Sequence, residues 1–245
     1  MGEGRVRADV LLVARGLFES RAKARAAIEA GGVTADGRPV TRASELIEQA
    51  ATIEARAAHP WVGRGGVKLA HALDLWPVRV EGRIVLDVGA STGGFTEVCL
   101  GRGAARVYAV DVGRGQLHPR LAADPRVVSL EGVDARDLTA SLVPDAPELV
   151  VTDVSFIGLA KALPAALSLA AAGADLVALV KPQFEVGPRA VGKGGLVTDA
   201  AARAAALEAV KVWLTAAGWR VHATADSPVL GGDGNHEHLL WASRS

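Results

Sequence analysis

The sequence predicts an α/β fold, a doubly wound sheet of mainly parallel strands, preceded by a small α+β domain. Apolar runs such as IVLDV, LVVTDV and DLVALV lack polar alternation, which is typical of parallel strands buried on both faces. From Arg83 onward such runs alternate with helical segments, and right-handed crossovers turn that series into a doubly wound sheet. The first 60 residues lack this alternation. We therefore expect two domains, residues 1–60 and 61–245.

The first domain reads as two helices and a small sheet. Asp9 to Arg15 forms a short helix, and the Ser20 hydroxyl can cap a second helix, RAKARAAIEA, which ends at Gly31-Gly32. The segment VTADGRPV predicts a hairpin around Asp36-Gly37, because this dipeptide accepts the positive φ angles of a tight turn. A third strand is expected at 51–55. This unit is too small to house an enzyme site.

The second domain follows a glycine-containing linker at 55–66 and opens with a helix over 67–76. Strands are predicted at 84–88, 106–111, 127–130, 148–153, 175–181, 219–224 and 237–242. Helices are predicted at 94–102, 114–123, 157–171 and 199–217. Ligands of a doubly wound sheet bind at the carboxyl edge of the strands, so the residues that follow each strand are the candidates for function.

Composition excludes several classes of protein. Lysine plus arginine and aspartate plus glutamate both number 27, so a nucleic-acid partner would need a local basic surface rather than a bulk charge. The single cysteine, Cys99, cannot form an internal disulfide and fits a reducing compartment. The start lacks the apolar stretch of a signal peptide, and charged and turn residues interrupt the most apolar region, 157–180. We expect a cytoplasmic protein with no membrane association and no metal.

The turn after the first strand of the sheet, DVGASTGGFT, predicts a cofactor site. Its spacing, D-x-G-x-x-x-G-G, differs from the G-x-G-x-x-G of dinucleotide sites, and an acid at the strand end suits a cation better than a pyrophosphate. Asp111 can accept from ribose hydroxyls, and Asp134 can accept from an adenine amino group. These features favour S-adenosylmethionine over a dinucleotide or a purely structural turn. The candidate cofactor residues are Asp87, Gly89, Ala90, Ser91, Thr92, Gly93, Gly94, Phe95, Asp111, Val112, Asp134, Ala135 and Asp153.

Four charged residues are placed to meet at the same edge. Asp153 and Lys181 end two strands, Glu237 begins the last strand, and Lys68 lies on the helix before the sheet. A neutral lysine can take the proton of a sugar hydroxyl, and burial or a neighbouring cation favours the neutral form. We predict that Lys181 is the base and that Lys68 is the cation beside it. Taken one at a time, each of these residues, and each lysine above all, is better explained by a surface ion pair. The placement of Asp153, Lys181 and Glu237 at strand ends is what favours a joint catalytic role, and this argument is weaker for Lys68.

A cluster of basic residues in the first domain is the candidate RNA-binding surface. Arg21 and Arg25 lie one helical turn apart and share a face. Such a face can contact the phosphates of a folded RNA, although a solvated helix face is the usual explanation. The candidate RNA-binding residues are Arg7, Arg15, Ser20, Arg21, Lys23, Arg25 and, in the linker, Arg64.

The motifs together resemble a known family. The stretch from Arg7 through Val40 resembles the S4 RNA-binding domain. The segments WVGRGGVKLAHAL, DVGASTGGFTE, VDVGRGQL, VTDVSFI, LVKPQFEVG and GNHEHLLW resemble the TlyA (haemolysin A) family, whose catalytic domain is FtsJ-like with a Rossmann-like methyltransferase sheet. The resemblance implies 2′-O-methylation of a cytidine in ribosomal RNA and carries a Lys-Asp-Lys-Glu tetrad onto Lys68, Asp153, Lys181 and Glu237.

The chain departs from the family pattern at two positions and near its end. Arg114 stands where a tyrosine is expected, and Asp134 where an asparagine is expected. The chain stops at Ser245, soon after the last predicted strand, without the C-terminal extension associated with family members that modify both subunits. This favours large-subunit RNA alone, and small-subunit RNA as a further substrate stays open. Three alternatives stay open: a non-catalytic RNA-binding module, an enzyme that methylates a base or a small molecule, and a membrane-active haemolysin.

Overall fold

The computed structural model describes residues 4–245 and divides the chain into two compact units, residues 1–60 and 61–245. Among the described residues, no helix combines the length and the apolar character needed to cross a bilayer. Each unit has its own apolar core, which allows each to be described by itself.

The first unit contains two helices and five short strands. Its elements are β1 (Arg5–Arg7), α1 (Ala8–Ala14), α2 (Arg21–Glu29), β2 (Val33–Ala35), β3 (Arg38–Pro39), β4 (Leu46–Glu48) and β5 (Ile53–Ala55). Strands β3, β2 and β5 form an antiparallel sheet, and β1 pairs antiparallel with β4. The buried face of the two helices, which includes Leu12 and Ile28, packs on these sheets in a core shared with Val33 of β2.

Local sequence signals set the boundaries of the first unit. The Ser20 hydroxyl accepts a hydrogen bond from the Lys23 amide at 3.3 Å and caps α2 as predicted. Asp36 and Gly37 both have positive φ, 49° and 75°, which is the turn that joins β2 to β3. The strands β1 and β4 were not predicted, because three residues are too few to show a period in the sequence.

The second unit is a three-layer α/β/α sandwich. Its helices are α3 (Gly65–Leu75), α4 (Gly94–Gly101), α5 (Pro119–Ala122), α6 (Leu159–Ala162), α7 (Pro164–Leu169), α8 (Pro182–Glu185) and α9 (Ala200–Ala216). Its strands are β6 (Ile84–Val88), β7 (Arg106–Asp111), β8 (Val127–Glu131), β9 (Leu149–Thr152), β10 (Asp175–Val180), β11 (Trp219–Asp226) and β12 (His238–Arg244). Three short 3₁₀ helices lie at Ala135–Asp137, Pro188–Ala190 and Lys193–Gly195.

The seven strands form one sheet in the order β11-β12-β10-β9-β6-β7-β8. Strands β10, β9, β6, β7 and β8 are parallel, and β12 runs antiparallel to both of its neighbours. One face of the sheet packs against α3 and α4, and the other against α6, α7 and α9. Burial on both faces explains the continuous apolar runs that predicted the sheet.

Two predicted helices are wrong in extent. The helix expected over 114–123 is reduced to α5, because the Glu131 carboxylate accepts hydrogen bonds from the amides of Gly115, Gln116 and Leu117 and holds that segment as a loop. The helix expected over 157–171 is divided into α6 and α7 at Pro164, which has no N–H to continue the helical ladder. Helix α3 begins at Gly65, inside the segment predicted as linker.

Candidate active site

A cavity of about 680 Å³ lies at the carboxyl edge of the parallel strands. It is lined by Val88, Gly89, Ser91, Val110, Asp111, Val112, Gln116, Val133, Asp134, Ala135, Arg136, Asp153, Val154, Ser155, Phe156, Ile157, Lys161 and Ala162. This volume lies within the range of small-molecule sites, and the position is the one that doubly wound sheets use for ligands.

The glycine-rich turn shapes one wall of the cavity. Gly89 has φ +85°, and a Cβ there would lie 3.1 Å from the backbone carbonyl of Asp153. Only glycine fits both the angle and this close approach. Ser91 also has a positive φ, 47°, and its amide donates to Asp111 Oδ2 at 2.8 Å. The turn is therefore held in one conformation by a residue that itself lines the cavity.

Asp111 is oriented by backbone amides on both oxygens. Oδ2 accepts from Ser91, and Oδ1 accepts from the Gly113 amide at 2.7 Å. A carboxylate has about four acceptor positions, so each oxygen keeps capacity for one hydroxyl donor. Asp111 thus ends β7 with two acceptor positions open to hydroxyl donors, and its binding to the hydroxyls of a ribose stays a prediction.

Asp134 lines the cavity but is engaged by a neighbour. Its carboxylate accepts from the Arg136 guanidinium at 2.9 and 2.6 Å and from the Arg136 amide at 2.9 Å. These hydrogen bonds hold the pKa of Asp134 at about 2. Asp134 is thus a fixed carboxylate that presents its remaining lone pairs, and Arg136 is a cavity residue that sequence reasoning missed.

Several predicted cofactor residues lie behind the cavity wall rather than on it. They are Asp87, Ala90, Thr92, Gly93, Gly94 and Phe95, none of which lines the cavity. Gly93, at φ +95°, starts α4, and a Cβ at Gly94 would lie 2.9 Å from the Gly66 amide nitrogen. Phe95 is 3% exposed and belongs to the core. Gly94 permits close packing of α4 against α3, whereas a Cβ on Gly93 would collide with the side chains of Leu121 and Leu117, so both glycines have a packing role.

Asp87 is fully buried and only half satisfied. Oδ2 accepts from the Thr96 hydroxyl at 2.6 Å, whereas Oδ1 accepts no hydrogen bond from any described residue. Burial raises the pKa of Asp87 to about 7, and the nearby carboxylates Asp153 and Asp111 add to the shift. Asp87 does not line the cavity, so Asp111 and Asp153 are the two of these three carboxylates that can attract a positively charged ligand there.

The four charged candidates form two ion pairs, of which Lys68–Glu237 is buried and Lys181–Asp153 is partly buried. Lys181 Nζ lies 2.6 Å from Asp153 Oδ1 and donates to Ser155 Oγ at 2.7 Å. Lys68 Nζ donates to Glu237 Oε2 at 2.5 Å, and both side chains are less than a tenth exposed. The expectation that Lys68 acts as the cation beside Lys181 is not supported, because each amine is held by its own carboxylate.

Strand register explains how these pairs reach one edge of the sheet. In the antiparallel pairing of β10 with β12, Val180 lies opposite His238, so Lys181 and Glu237 are the next residues at the ends of those strands. Asp153 directly follows the parallel strand β9. Its Oδ2 would lie 3.3 Å from a Cβ on Gly65, the first residue of the helix that carries Lys68. Of the four, Asp153 lines the cavity.

Two aromatic residues and a serine complete this region. Phe156 is 91% exposed with φ +67°, and its ring centroid lies 5.3 Å from that of Phe184. It lines the cavity and does not fill the core, which decides between the two interpretations left open by the sequence. Ser155 was missed, although its position two residues after Asp153 was the available signal.

The RNA-binding candidates divide into two groups. Arg7, Arg21 and Arg25 line a second cavity, in the first unit. Arg15 instead donates to the backbone carbonyls of Ala51 and Gln49, which ties the end of α1 to the turn between β4 and β5. Three candidates occupy other positions in their units: Ser20 caps α2, Lys23 pairs with Glu19, and Arg64 is the exposed N-cap residue of α3. Among the described residues, no group of three or more His, Cys, Asp or Glu side chains could hold a metal ion.

Comparison with known proteins places the chain in a family. The family model described as FtsJ-like methyltransferase matches residues 61–244, and that of the S4 domain matches residues 6–53. The chain is 47% identical over 239 residues to the 16S/23S rRNA (cytidine-2′-O)-methyltransferase TlyA of Mycobacterium tuberculosis, covering 97% of this chain and 89% of that protein. The chain belongs to the TlyA family.

Other TlyA-family relatives agree with this assignment. The 23S rRNA (cytidine-2′-O)-methyltransferase TlyA of Campylobacter jejuni is 33% identical over 183 residues, 74% of this chain and 70% of that protein. The chain is also similar to a solved structure from Streptococcus thermophilus that is described as a hemolysin, with 38% sequence identity and a TM-score of 0.78. The match covers all of this chain and 90% of that one. The S4 domain and the methyltransferase sheet expected from the sequence are thus confirmed for this TlyA-family chain.

Proposed function

We propose that the protein transfers a methyl group from S-adenosylmethionine to the ribose 2′-hydroxyl of a cytidine in ribosomal RNA. The observation that carries the proposal is the Lys181–Asp153 pair, because Asp153 also lines the cavity proposed for the cofactor. The proposed base, Lys181, therefore contacts the same carboxylate that borders the proposed site of the methyl donor.

The cavity fits S-adenosylmethionine on three counts. Asp111 offers one free acceptor position on each oxygen to ribose hydroxyls, and Asp134 offers an acceptor near Val133 and Ala135. The carboxylates of Asp111, Asp134 and Asp153 on the cavity wall favour a cation. When bound, S-adenosylmethionine supplies an electrophilic methyl group on a positively charged sulfur.

Lys181 is the proposed base. A ribose hydroxyl is a weak nucleophile and must lose its proton as its oxygen bonds to carbon. Lys181 first releases the proton of its ion pair with Asp153 to solvent, and the free amine then accepts the hydroxyl proton. Ser155 and Asp153 fix the position of the amine at 2.7 and 2.6 Å. Lys68 and Glu237 are buried as a pair beside the last strand, and we assign them the role of holding the site's geometry and charge.

Ribosomal RNA is the proposed substrate because of the two units together. An S4 domain accompanies the catalytic unit, and relatives at 47% and 33% identity are named for cytidine 2′-O-methylation of rRNA. Both names include 23S rRNA, and one adds 16S rRNA. We therefore propose 23S rRNA as the principal substrate and, since ribosomes are the target, action in the cytoplasm.

The test is methyl transfer to purified large and small ribosomal subunits with labelled S-adenosylmethionine, followed by digestion to nucleosides. The expected product is 2′-O-methylcytidine. Lys181→Met should lower the transfer rate by at least about 100-fold and leave cofactor affinity within about threefold of the wild type. Lys211→Met is the matched control, because Lys211 forms a partly exposed pair with Glu208 on α9.

Three results would overturn the proposal. A methylated base in place of 2′-O-methylcytidine would show that the enzyme acts on another atom. Full activity in a folded Lys181→Met protein would show that the base is elsewhere. Binding of RNA with no methyl transfer to either subunit would instead favour a non-catalytic RNA-binding module.

A further inference from the structure

The first unit contains a groove of about 550 Å³ with an unusual charge arrangement. It is lined by Arg7, Asp9, Arg21, Ala22, Arg25, Glu29, Thr41, Arg42, Ala43 and Ser44. Four arginines face two carboxylates, which leaves an excess of positive charge. Arg42 and the neighbouring hydroxyls of Thr41 and Ser44 come from a loop that the sequence analysis did not assign to any function.

Asp9 is the buried centre of this groove. The residue is 4% exposed, and its two oxygens accept four hydrogen bonds from two arginines. Arg7 donates from Nε at 3.0 Å and from Nη2 at 3.1 Å, while Arg21 donates from Nε at 3.0 Å and from Nη2 at 2.7 Å. These hydrogen bonds hold the pKa of Asp9 at about 2, so it is ionised at neutral pH.

The two arginines keep part of their surface and donors free. The Arg7 and Arg21 side chains are 44% and 61% exposed, and each guanidinium has further N–H groups beyond the two that Asp9 accepts. By contrast, Arg25 pairs with Glu29 in an exposed pair, 69% and 60% accessible. Arg7 and Arg21 are therefore held in fixed positions by Asp9, whereas the exposed Arg25–Glu29 pair can open and exchange its contacts for water.

The backbone around Asp9 is also fixed. The first amides of α1 donate to the loop that forms the opposite side of the groove, Ala8 to the Glu45 carbonyl at 2.8 Å and Asp9 to the Ala43 carbonyl at 3.1 Å. Asp9 lies in the first turn of α1, where a negative charge is favourable to the helix dipole. Asp9, the two arginines that it binds and the loop opposite are thus connected to one another by hydrogen bonds.

We propose that Asp9 is a positioning residue that holds Arg7 and Arg21 as a paired guanidinium clamp for backbone phosphates of folded RNA. The inference rests on the proposed function, and it adds a residue that does not itself touch RNA. Guanidinium groups recognise phosphate in a bidentate fork, so fixing their planes in advance lowers the ordering cost of binding.

Replacing Asp9 separates this idea from simple charge attraction because the two make opposite predictions. Asp9→Asn removes a negative charge from the groove, so attraction to RNA alone would tighten binding. Asparagine can accept from only one of the two forks, so loss of positioning should weaken binding, by about tenfold, equivalent to about 1.4 kcal/mol. Glu29→Gln is the matched control, since it removes one charge from the same groove without holding Arg7 or Arg21.

The experiment measures affinity of the full chain for large-subunit ribosomal RNA at several salt concentrations. We expect Asp9→Asn to bind about tenfold more weakly with a salt dependence close to that of the wild type, because all arginines remain. Glu29→Gln should bind as tightly as the wild type or more tightly. Circular dichroism and S-adenosylmethionine affinity of each variant show whether the chain is folded.

Asp9→Asn binding that equals or exceeds the wild type would overturn the inference. If Asp9→Asn does not fold, Arg21→Lys takes its place, since it keeps the charge and loses the bidentate fork. Arg21→Lys should then bind more weakly, and equal affinity would overturn the inference. Failure of the wild type to methylate ribosomal RNA would refute the proposed function instead, so the two failures are distinguishable.

Discussion

The buried pair of Lys68 with Glu237 allows a sharp test of how the catalytic unit is held together. Its side chains are 8% and 3% exposed, and the two residues lie 169 positions apart in the chain. Glu237→Leu leaves a buried ammonium without a counter-charge, and Lys68→Met leaves a buried carboxylate. Each single change should lower the free energy of unfolding by about 3–5 kcal/mol. The double change, which leaves two apolar side chains, should cost about 1–2 kcal/mol or less.

Tryptophan fluorescence during urea unfolding is the suitable assay. All five tryptophans lie between residues 61 and 245, so the signal reports on the catalytic unit alone. Trp76 and Trp241 stack at 6.3 Å and lie on α3's end and on β12, the elements that carry the pair. Glu208→Ala is the control, because its partly exposed pair with Lys211 should contribute less than about 1 kcal/mol.

Two results would refute this reasoning. Losses below about 1 kcal/mol in both single variants would mean that water reaches the pair and screens it. Losses that add in the double variant would mean that the two side chains contribute independently, and the assignment of a coupled structural role to Lys68 and Glu237 would fail.

Two further predictions concern the turn after β6. Burial raises the pKa of Asp87 to about 7 from 3.8, so between about pH 4 and pH 7 the folded chain binds more protons than the unfolded chain. This contribution makes the unfolding free energy fall as pH rises, by at most about 1.4 kcal/mol per pH unit. In urea titrations at several pH values, Asp87→Asn should remove this part of the pH dependence. An equal pH dependence of the unfolding free energy in both proteins would contradict the prediction. Gly89→Ala should cost about 1–2 kcal/mol of stability and weaken S-adenosylmethionine at least tenfold by calorimetry, because a Cβ at φ +85° would press on Asp153. Gly218→Ala, at φ +83° with open space around it, should lose stability alone, and loss of cofactor affinity there would show that the effect is not local.

The order of strands and helices could be predicted because burial on both faces leaves a continuous apolar signal. Positions of Asp111 and Asp153 followed from the rule that strand ends meet at one edge. The sequence did not predict hydrogen bonds between segments that are far apart in the chain. Glu131 converts a predicted helix into a loop from 14 to 16 residues away, and nothing near residues 115–117 reveals that partner.

The sequence also could not predict which charged candidates pair with each other. Strand-end placement assigned Asp153, Lys181 and Glu237 to one edge of the sheet, but it could not decide which carboxylate each lysine would pair with. The register of β10 with β12 and the start of α3 at Gly65 decide it. Likewise, the spacing of the basic residues predicted that they share one face of α2, but it could not show that Arg21 pairs with Asp9 on α1.

The antiparallel insertion of β12 beside β10 has a consequence for biosynthesis. Every residue of the cavity wall lies between positions 88 and 162, so that wall is complete in sequence long before translation reaches Glu237. Until Glu237 has been synthesised and β12 has joined the sheet, Lys68 lacks the carboxylate with which it pairs in the folded chain. The last strand to be made therefore neutralises a buried charge on α3, one of the first elements of the catalytic unit to be made.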